Sequence, residues 1–159
     1  MKIGILSDSH DDMEAIAKAV ALFNEEGVLQ VLHAGDVVSP FTFELFRDLN
    51  APLGGVFGNN DGDRLLLRER SAGALHVQPH FVTLSGLRGV IVHEPHLVPA
   101  LARSGDFGLV VYGHTHVPDV RFEGDCLVVN PGKAARLHKG RATVALLETE
   151  TREARILDL

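Results

Sequence analysis

Five short apolar runs in this 159-residue chain each lead to residues that can ligate a metal. Residues 3–6 run into Asp8 and His10, and 31–32 into Asp36. Residues 56–57 run into Asn59, 90–92 into His93, and 109–112 into His114 and His116. Runs this short, bounded by glycine and polar residues, read as buried strands. A polar residue just past a strand's carboxyl end lies where open α/β sheets bind their ligands. One coincidence of this kind carries little weight. Its repetition implies that distant parts of the chain converge on one site.

The runs sit in an ordered frame. Residues 2–7 form the first expected strand, and their consecutive apolar side chains favour a strand covered on both faces. Asp11 or Asp12 can cap the helix that follows. Met13, Ile16, Val20 and Phe23 recur at helical spacing, and Gly27 stops the run. A strand over 29–32, a helix over 41–49 with Pro40 near its start, and a strand over 53–57 complete a β-α-β-α-β half. A short helix over 64–70 comes next. The rest is strand-rich, with 81–84, 89–92, 109–112, 120–122, 127–129, 143–147 and 154–157 interrupted by one helix over 96–104. This order implies two stacked sheets flanked by helices. No repeat, low-complexity tract or linker marks a boundary, so 1–159 is expected to form a single domain.

Composition narrows the function classes. Hydrophobic residues make up 45% and charged residues 23%, the profile of a globular protein. With no Trp and few other aromatics, base-stacking platforms for single-stranded nucleic acid are scarce. A net charge of −6 implies no basic face for DNA. A phosphate substrate stays open, because bound cations reverse the local sign of a site. Cys126 is the only cysteine, which excludes an intramolecular disulfide and suits a reducing compartment. It lies among Asp125, Leu127 and Val128 and reads as a packed strand thiol. The N-terminal run is too brief for a signal peptide, and no apolar stretch approaches the ~20 residues of a membrane helix. A cytoplasmic location is the expectation.

The ligand-type residues suit a pair of ions. In Asp8-Ser9-His10, an extended strand end would point both ligands to one side. Gly35-Asp36 places a carboxylate where the backbone can turn tightly, and its two oxygens can bridge two ions. Gly58-Asn59 repeats the arrangement with a neutral oxygen donor. Gly113-His114-Thr115-His116 supplies two imidazoles that can serve different ions. Two divalent ions against two carboxylates leave a net positive site, which a hydroxide and a phosphodiester would neutralise. Paired ions lower the pKa of bound water and clamp the attacking and leaving oxygens. Mixed imidazole, carboxylate and amide donors suit Mn, Fe, Ni, Co or Zn better than Ca, with manganese taken first. His93-Glu94-Pro95-His96 is not a zincin motif, because its histidines are three apart and Pro95 opposes a helix. No phosphate-binding Lys-Ser/Thr loop, Rossmann fingerprint or serine elbow is present.

Asp8-Ser9-His10, Gly35-Asp36, Gly58-Asn59-Asn60-Asp61, His93 and Gly113-His114-Thr115-His116 together resemble the calcineurin-like metallophosphoesterase superfamily. Order and spacing agree over essentially the whole chain. Length and the Asn-Asn-Asp variant are similar to the small YfcE-type phosphodiesterases. The resemblance implies a four-layer αββα sandwich of two mixed β-sheets. It implies one metal on Asp8, His10, Asp36 and His116, and a second on Asp36, Asn59, His93 and His114. The implied reaction is hydrolysis of a small phosphodiester by a hydroxide bridging the ions, with His114 also facing substrate.

Many superfamily members carry His after the ligand Asn, as a general acid or substrate contact. Asn60 stands there and, with His114, is the candidate catalytic residue; good leaving groups should then react best. Asp11 and Glu94 occupy positions that are often glycine in the family and add negative charge near the metals. The Asp-Arg-Gly of phosphoprotein phosphatases is replaced by Val37-Val38-Ser39-Pro40. The same fold serves as a non-catalytic scaffold in the retromer's phosphoesterase-like subunit, a rival that the filled ligand positions disfavour. Exposed strands are compatible with a homodimer. His33 reads as packed behind the site, Asp61 as an orienter of the Asn59 loop or a turn former, and Asn130-Pro131-Gly132 as a turn. His96 and Lys133 are candidate phosphate contacts. His76, His80 and His138 read as surface or loop residues.

Overall fold

Consecutive apolar residues along the strands divide between two cores, which is why the runs do not alternate with polar residues. Ile3 and Ile5 face one core, whereas Leu6 faces another. Leu109 and Val111 separate in the same way from Val110, as Ile91 does from Val90 and Val92. The computed structural model that shows this describes residues 1–136 and 140–159, so His138 lies outside the described residues.

The first sheet has six strands. They are β1 (Lys2–Leu6), β2 (Gln30–His33), β3 (Leu53–Val56), β4 (Leu75–His76), β10 (Thr143–Glu148) and β11 (Glu153–Asp158). Their order is β11-β10-β1-β2-β3-β4. β1 to β4 run parallel, and β10 and β11 add antiparallel pairs. The second sheet comprises β5 (His80–Leu84), β6 (Leu87–Ile91), β7 (Leu109–Val111), β8 (Asp119–Glu123) and β9 (Cys126–Asn130) in the order β5-β6-β7-β9-β8. β6, β7 and β9 are parallel, and antiparallel β5 and β8 lie at the edges.

One core joins the two sheets through Ile5, Leu32, Val56, Ile91, Val111 and Leu147. A second packs the first sheet under helices α1 (Met13–Glu25), α2 (Phe43–Phe46) and α3 (Arg64–Arg70), with Phe23 and Leu67 fully buried. A third covers the second sheet with helix α4 (Val98–Arg103). The layers are helix, sheet, sheet and helix, as the resemblance implied. Asp12 caps α1, accepting from Ala15 N–H at 3.0 Å.

Three details differ from the sequence reading. The helix expected over 41–49 is a 3₁₀ turn, Pro40–Thr42, followed by one turn of α-helix in α2. The helix expected over 96–104 likewise starts as a 3₁₀ turn, Pro95–Leu97, before α4. Each begins with a proline that fixes φ but donates no hydrogen bond, and neither segment has the length to organise a full helix. β4 has only two residues, too few for any periodicity to announce it.

Candidate metal centre

The expected ligands follow the carboxyl ends of five parallel strands from both sheets, so stacking the sheets brings them together. Asp8 and His10 follow β1, Asp36 follows β2, Asn59 follows β3, His93 follows β6, and His114 and His116 follow β7. Five of them sit in the left-handed backbone region: Asp8 (φ 52°), His10 (41°), Asp36 (59°), His114 (67°) and His116 (60°). Asp and His tolerate this region better than most residues. Strain of order 1 kcal/mol per residue persists only where surrounding structure enforces it. Gly58 is needed for a related reason: a Cβ there would lie 2.1 Å from Asp36 Oδ1.

Two clusters emerge. Asp8, His10 and His116 form one, and Asp8, Asp36 and His93 the other, with ligand atoms within 4.8 Å of one another in each. In the first, His10 Nε2 and His116 Nε2 face each other at 3.2 Å. Asp8 Oδ1 is 3.3 Å from His116 Nε2 and 3.8 Å from His10 Nε2. In the second, Asp36 Oδ2 is 3.4 Å from His93 Nε2 and also 3.7 Å from His10 Nε2, which places this carboxylate between the clusters. Asn59 Oδ1 lies 2.9 Å from His93 Nε2 and 2.8 Å from His114 Nδ1.

These contacts fit a cation. Asp8 Oδ2 accepts from Ser7 Oγ at 2.5 Å and from His114 N–H at 3.0 Å. Asp8 Oδ1 is buried with no hydrogen-bond partner among the described residues, a costly state for a carboxylate oxygen unless a positive group completes it. His93 Nδ1 is 2.8 Å from the Ala34 carbonyl oxygen and can only donate to it. A neutral His93 therefore turns the Nε2 lone pair toward two further acceptors, Asp36 Oδ2 and Asn59 Oδ1. A carbonyl that fixes a histidine's tautomer in this way is the usual support for a metal ligand.

The electrostatics agree. Burial disfavours the charged form of His93, yet the Asp36 carboxylate outweighs it and lifts the pKa above the ordinary value. The Asp8 contact raises that of His10 despite burial. Burial pushes the Asp8 and Asp36 carboxyls up, but their histidine and hydrogen-bond partners hold both below the usual range. The pocket thus attracts positive charge. His116 differs: burial lowers its pKa, aided by the charges of His10 and Lys133 and opposed by those of Asp8 and Asp36.

A second ring of residues holds the ligand loops. Asp61 is buried and accepts from three backbone N–H groups: Gly58 at 2.7 Å, Asp36 at 3.2 Å and Val38 at 2.7 Å. It thereby ties the Asn59 loop to the Asp36 loop. Asn60 donates its backbone N–H to Asp36 Oδ1 at 2.8 Å and its amide to Asp36 Oδ2 at 2.7 Å. His33 is fully buried; Gly35 N–H donates to its Nδ1 at 3.1 Å, so its Nε2 carries the proton toward Ser9 Oγ, also at 3.1 Å. Asn130 donates to the Gly113 carbonyl oxygen and to Thr115 Oγ1, both at 3.0 Å, steadying the loop that carries His114 and His116.

The two acids expected to add charge near the metals each have a partner. Asp11 accepts from Ser39 Oγ at 2.5 Å and Ser39 N–H at 2.8 Å. Glu94 accepts from the Gln78 amide at 3.0 Å, while Gln78 Oε1 accepts from His93 N–H at 2.6 Å. Sequence reasoning missed Gln78 entirely, since no motif contains it. His76 and His80 stack on each other with ring centroids 3.9 Å apart, and His96 is exposed on its 3₁₀ turn. Cys126 is buried on β9, and burial raises its thiol pKa. Among the described residues, no helix is long and apolar enough to cross a membrane.

Fold and site together define a metallophosphoesterase-type centre, and comparison with known proteins agrees. Residues 1–152 match the calcineurin-like phosphoesterase superfamily domain, and the chain belongs to that superfamily. A phosphodiesterase of Methanocaldococcus jannaschii is 38% identical over 161 residues, covering 98% of this chain and 97% of that protein. The solved structure of an archaeal phosphodiesterase superposes with a TM-score of 0.94 at 37% identity, covering 100% of both chains. YfcE, a phosphoesterase from E. coli, shares the fold at a TM-score of 0.73 and 21% identity, covering 99% of this chain and 98% of its own.

Proposed function

We propose that this chain is a phosphodiesterase that works with two divalent ions. One would be held by Asp8, His10, Asp36 and His116, the other by Asp36, Asn59, His93 and His114. Superfamily membership and the phosphodiesterase at 38% identity support the activity. The observation that carries the metal reading is the partnerless buried Asp8 Oδ1, facing the imidazole nitrogens of His10 and His116. Imidazole, carboxylate and amide donors suit Mn, Fe, Ni, Co or Zn, with manganese the first choice. When bound, a pair of such ions neutralises phosphate charge and brings the pKa of water toward neutrality.

The chain's own residues supply orientation. Asp36 reaches both clusters through Oδ2, which suits it to both ions. Asn60 fixes the Asp36 carboxylate through two hydrogen bonds. Its amide has no proton to give at neutral pH, so the leaving group departs without an acid at this position. Esters of acidic alcohols and phenols are therefore the favoured substrates. His114 is exposed, and its Nδ1 on Asn59 Oδ1 sets the ring at the solvent side of the centre, where substrate arrives. The substrate is a small phosphodiester, handled in the cytoplasm by one domain spanning 1–159.

Metal content and turnover test this together. Wild-type protein should bind two equivalents of Mn²⁺ and hydrolyse bis(p-nitrophenyl) phosphate. Asp36→Asn should lose metal at both positions, with a loss of activity beyond the roughly 10–100-fold typical of residues that only support a ligand. Asn59→Ala should lose about one equivalent. Full loading of Asp36→Asn would contradict the bridging assignment. No turnover with any of the five metals would leave a scaffold in place of an enzyme.

A further inference from the structure

Beside the centre, on the His116 side, a cleft of about 600 Å³ is lined by His116, Pro118, Lys133, Arg141, Thr143 and Ile156. We infer that this cleft receives the organic ester group that a phosphodiester carries and a simple phosphate lacks. The inference rests on the phosphodiesterase reading above and adds where, and on what, the enzyme discriminates.

Three observations support it. The first is continuity: His116 forms part of the cleft wall, and its Nε2 is 3.3 Å from Asp8 Oδ1, so the cleft adjoins the centre. The second is chemistry. In a chain of net charge −6, the six lining residues named include no carboxylate. Pro118 and Ile156 offer apolar surface. Lys133 brings positive charge, whereas Arg141 is offset by both carboxylate oxygens of Asp158. A neutral or anionic organic group is favoured there, and a cationic one is not. The third is construction. The backbone at Gly132 (φ +81°) passes so close to its neighbours that a Cβ would lie 2.2 Å from Thr143 Oγ1 and 2.8 Å from Pro118 Cγ. Thr143 Oγ1 in turn donates to the Pro131 carbonyl oxygen at 2.7 Å. This part of the wall is thus fixed by the fold.

Size indicates the class of group. Clefts of about 300–1,000 Å³ hold small organic ligands. A methyl ester would leave most of this one empty, whereas a nucleoside-sized ester would use it. The ligand class is therefore a phosphodiester with one bulky, uncharged or anionic organic arm.

Two esters with a common leaving group provide the test: thymidine 5′-(p-nitrophenyl) phosphate and methyl p-nitrophenyl phosphate, each assayed with Mn²⁺. Water displaces p-nitrophenol from both and leaves the other ester bond intact, so only the retained arm differs. Wild-type kcat/KM should favour the nucleoside ester by about tenfold or more. Ile156→Trp, on β11, and Pro118→Trp, from the segment before β8, should each cut that preference at least about fivefold while metal content by elemental analysis stays at two equivalents. The ratio of the two esters corrects for any partly folded fraction. Equal wild-type specificity for the two esters, or a preference unchanged in both variants, would overturn the cleft assignment alone. Hydrolysis of neither ester with any of the five metals would overturn the phosphodiesterase reading, and the cleft assignment with it.

Discussion

One half of the centre is sealed and the other is open. The side chains of Asp8, Asp36 and His93 are at most 1% exposed, whereas those of His10 and His116 are 20% and 40% exposed. The sealed half is held by backbone: Asp8 by the His114 N–H, Asp36 by the Asn60 N–H and His93 by the Ala34 carbonyl. The open half is made of partly exposed imidazoles, and His116 also lines the cleft. Rigid groups whose partners are already in place can hold a cation with little rearrangement. Accessible groups let a substrate reach it. This division predicts that damage behind the sealed half will cost more than damage around the open half.

Among residues that only support the candidate ligands, the largest effect should come from Asp61. Its carboxylate satisfies the N–H groups of Gly58, Asp36 and Val38, and Asp61→Ala would strand all three. Each stranded buried donor costs about 1–3 kcal/mol, and water entry would recover part of that. Metal affinity should fall roughly 10–100-fold, because the Asp36 and Asn59 loops lose their common tie. Urea unfolding measures the first effect and calorimetric titration of metal-free protein with Mn²⁺ the second. Unchanged metal affinity would show that the sealed half does not depend on this brace.

Asn130 tests the open half. Asn130→Ala removes two donors, to the Gly113 carbonyl oxygen and Thr115 Oγ1, and one acceptor for Gly132 N–H. The loop it supports carries His114 and His116, which solvent can partly satisfy. We expect a loss of about 1–2 kcal/mol in stability and about a tenfold rise in KM for bis(p-nitrophenyl) phosphate, with both metals retained at millimolar Mn²⁺. Loss of metal greater than that of Asp61→Ala would invert the comparison.

The two halves also differ in how far the sequence disclosed them. The candidate strand-end ligands were readable because each follows a buried apolar run and their types recur in one order along the chain. The αββα layering followed from the order of helices and strands. The supporting contacts were largely hidden. Gln78 precedes β5 and meets His93 only through tertiary packing, so no local pattern marks it. Asn130 looked like a turn former, and its donation to Gly113 appears only once β7 and β9 pair. Asp61 was half legible: its place in Gly58-Asn59-Asn60-Asp61 suggested the Asn59 loop, but its reach to Asp36 and Val38 was not visible. The cleft was hidden most completely, because its walls come from β10, β11, Lys133, Arg141 and the segment before β8.

The smallest effect concerns His33, which lies behind the sealed half and is fully buried. Burial lowers its pKa from 6.5 to about 4, against the attraction of Asp8 and Asp36. The folded pKa is thus below the unfolded one. Between those values the unfolded chain binds more protons, so stability rises with pH across that window. The contribution is fully present above pH 6.5, where the ring is neutral in both states, and it is lost as pH falls toward 4. From pH 7 to 5.5 the loss is about 1 kcal/mol, from one pH unit below the unfolded value at roughly 1.4 kcal/mol per unit. Urea unfolding of chelator-treated protein at both pH values should show His33→Asn losing less stability than wild type by about this amount. His10, His93 and His116 titrate in both proteins and largely cancel in the difference. If wild type and variant lose stability in parallel, His33 is not the neutral, proton-excluding support that its contacts with Gly35 and Ser9 describe.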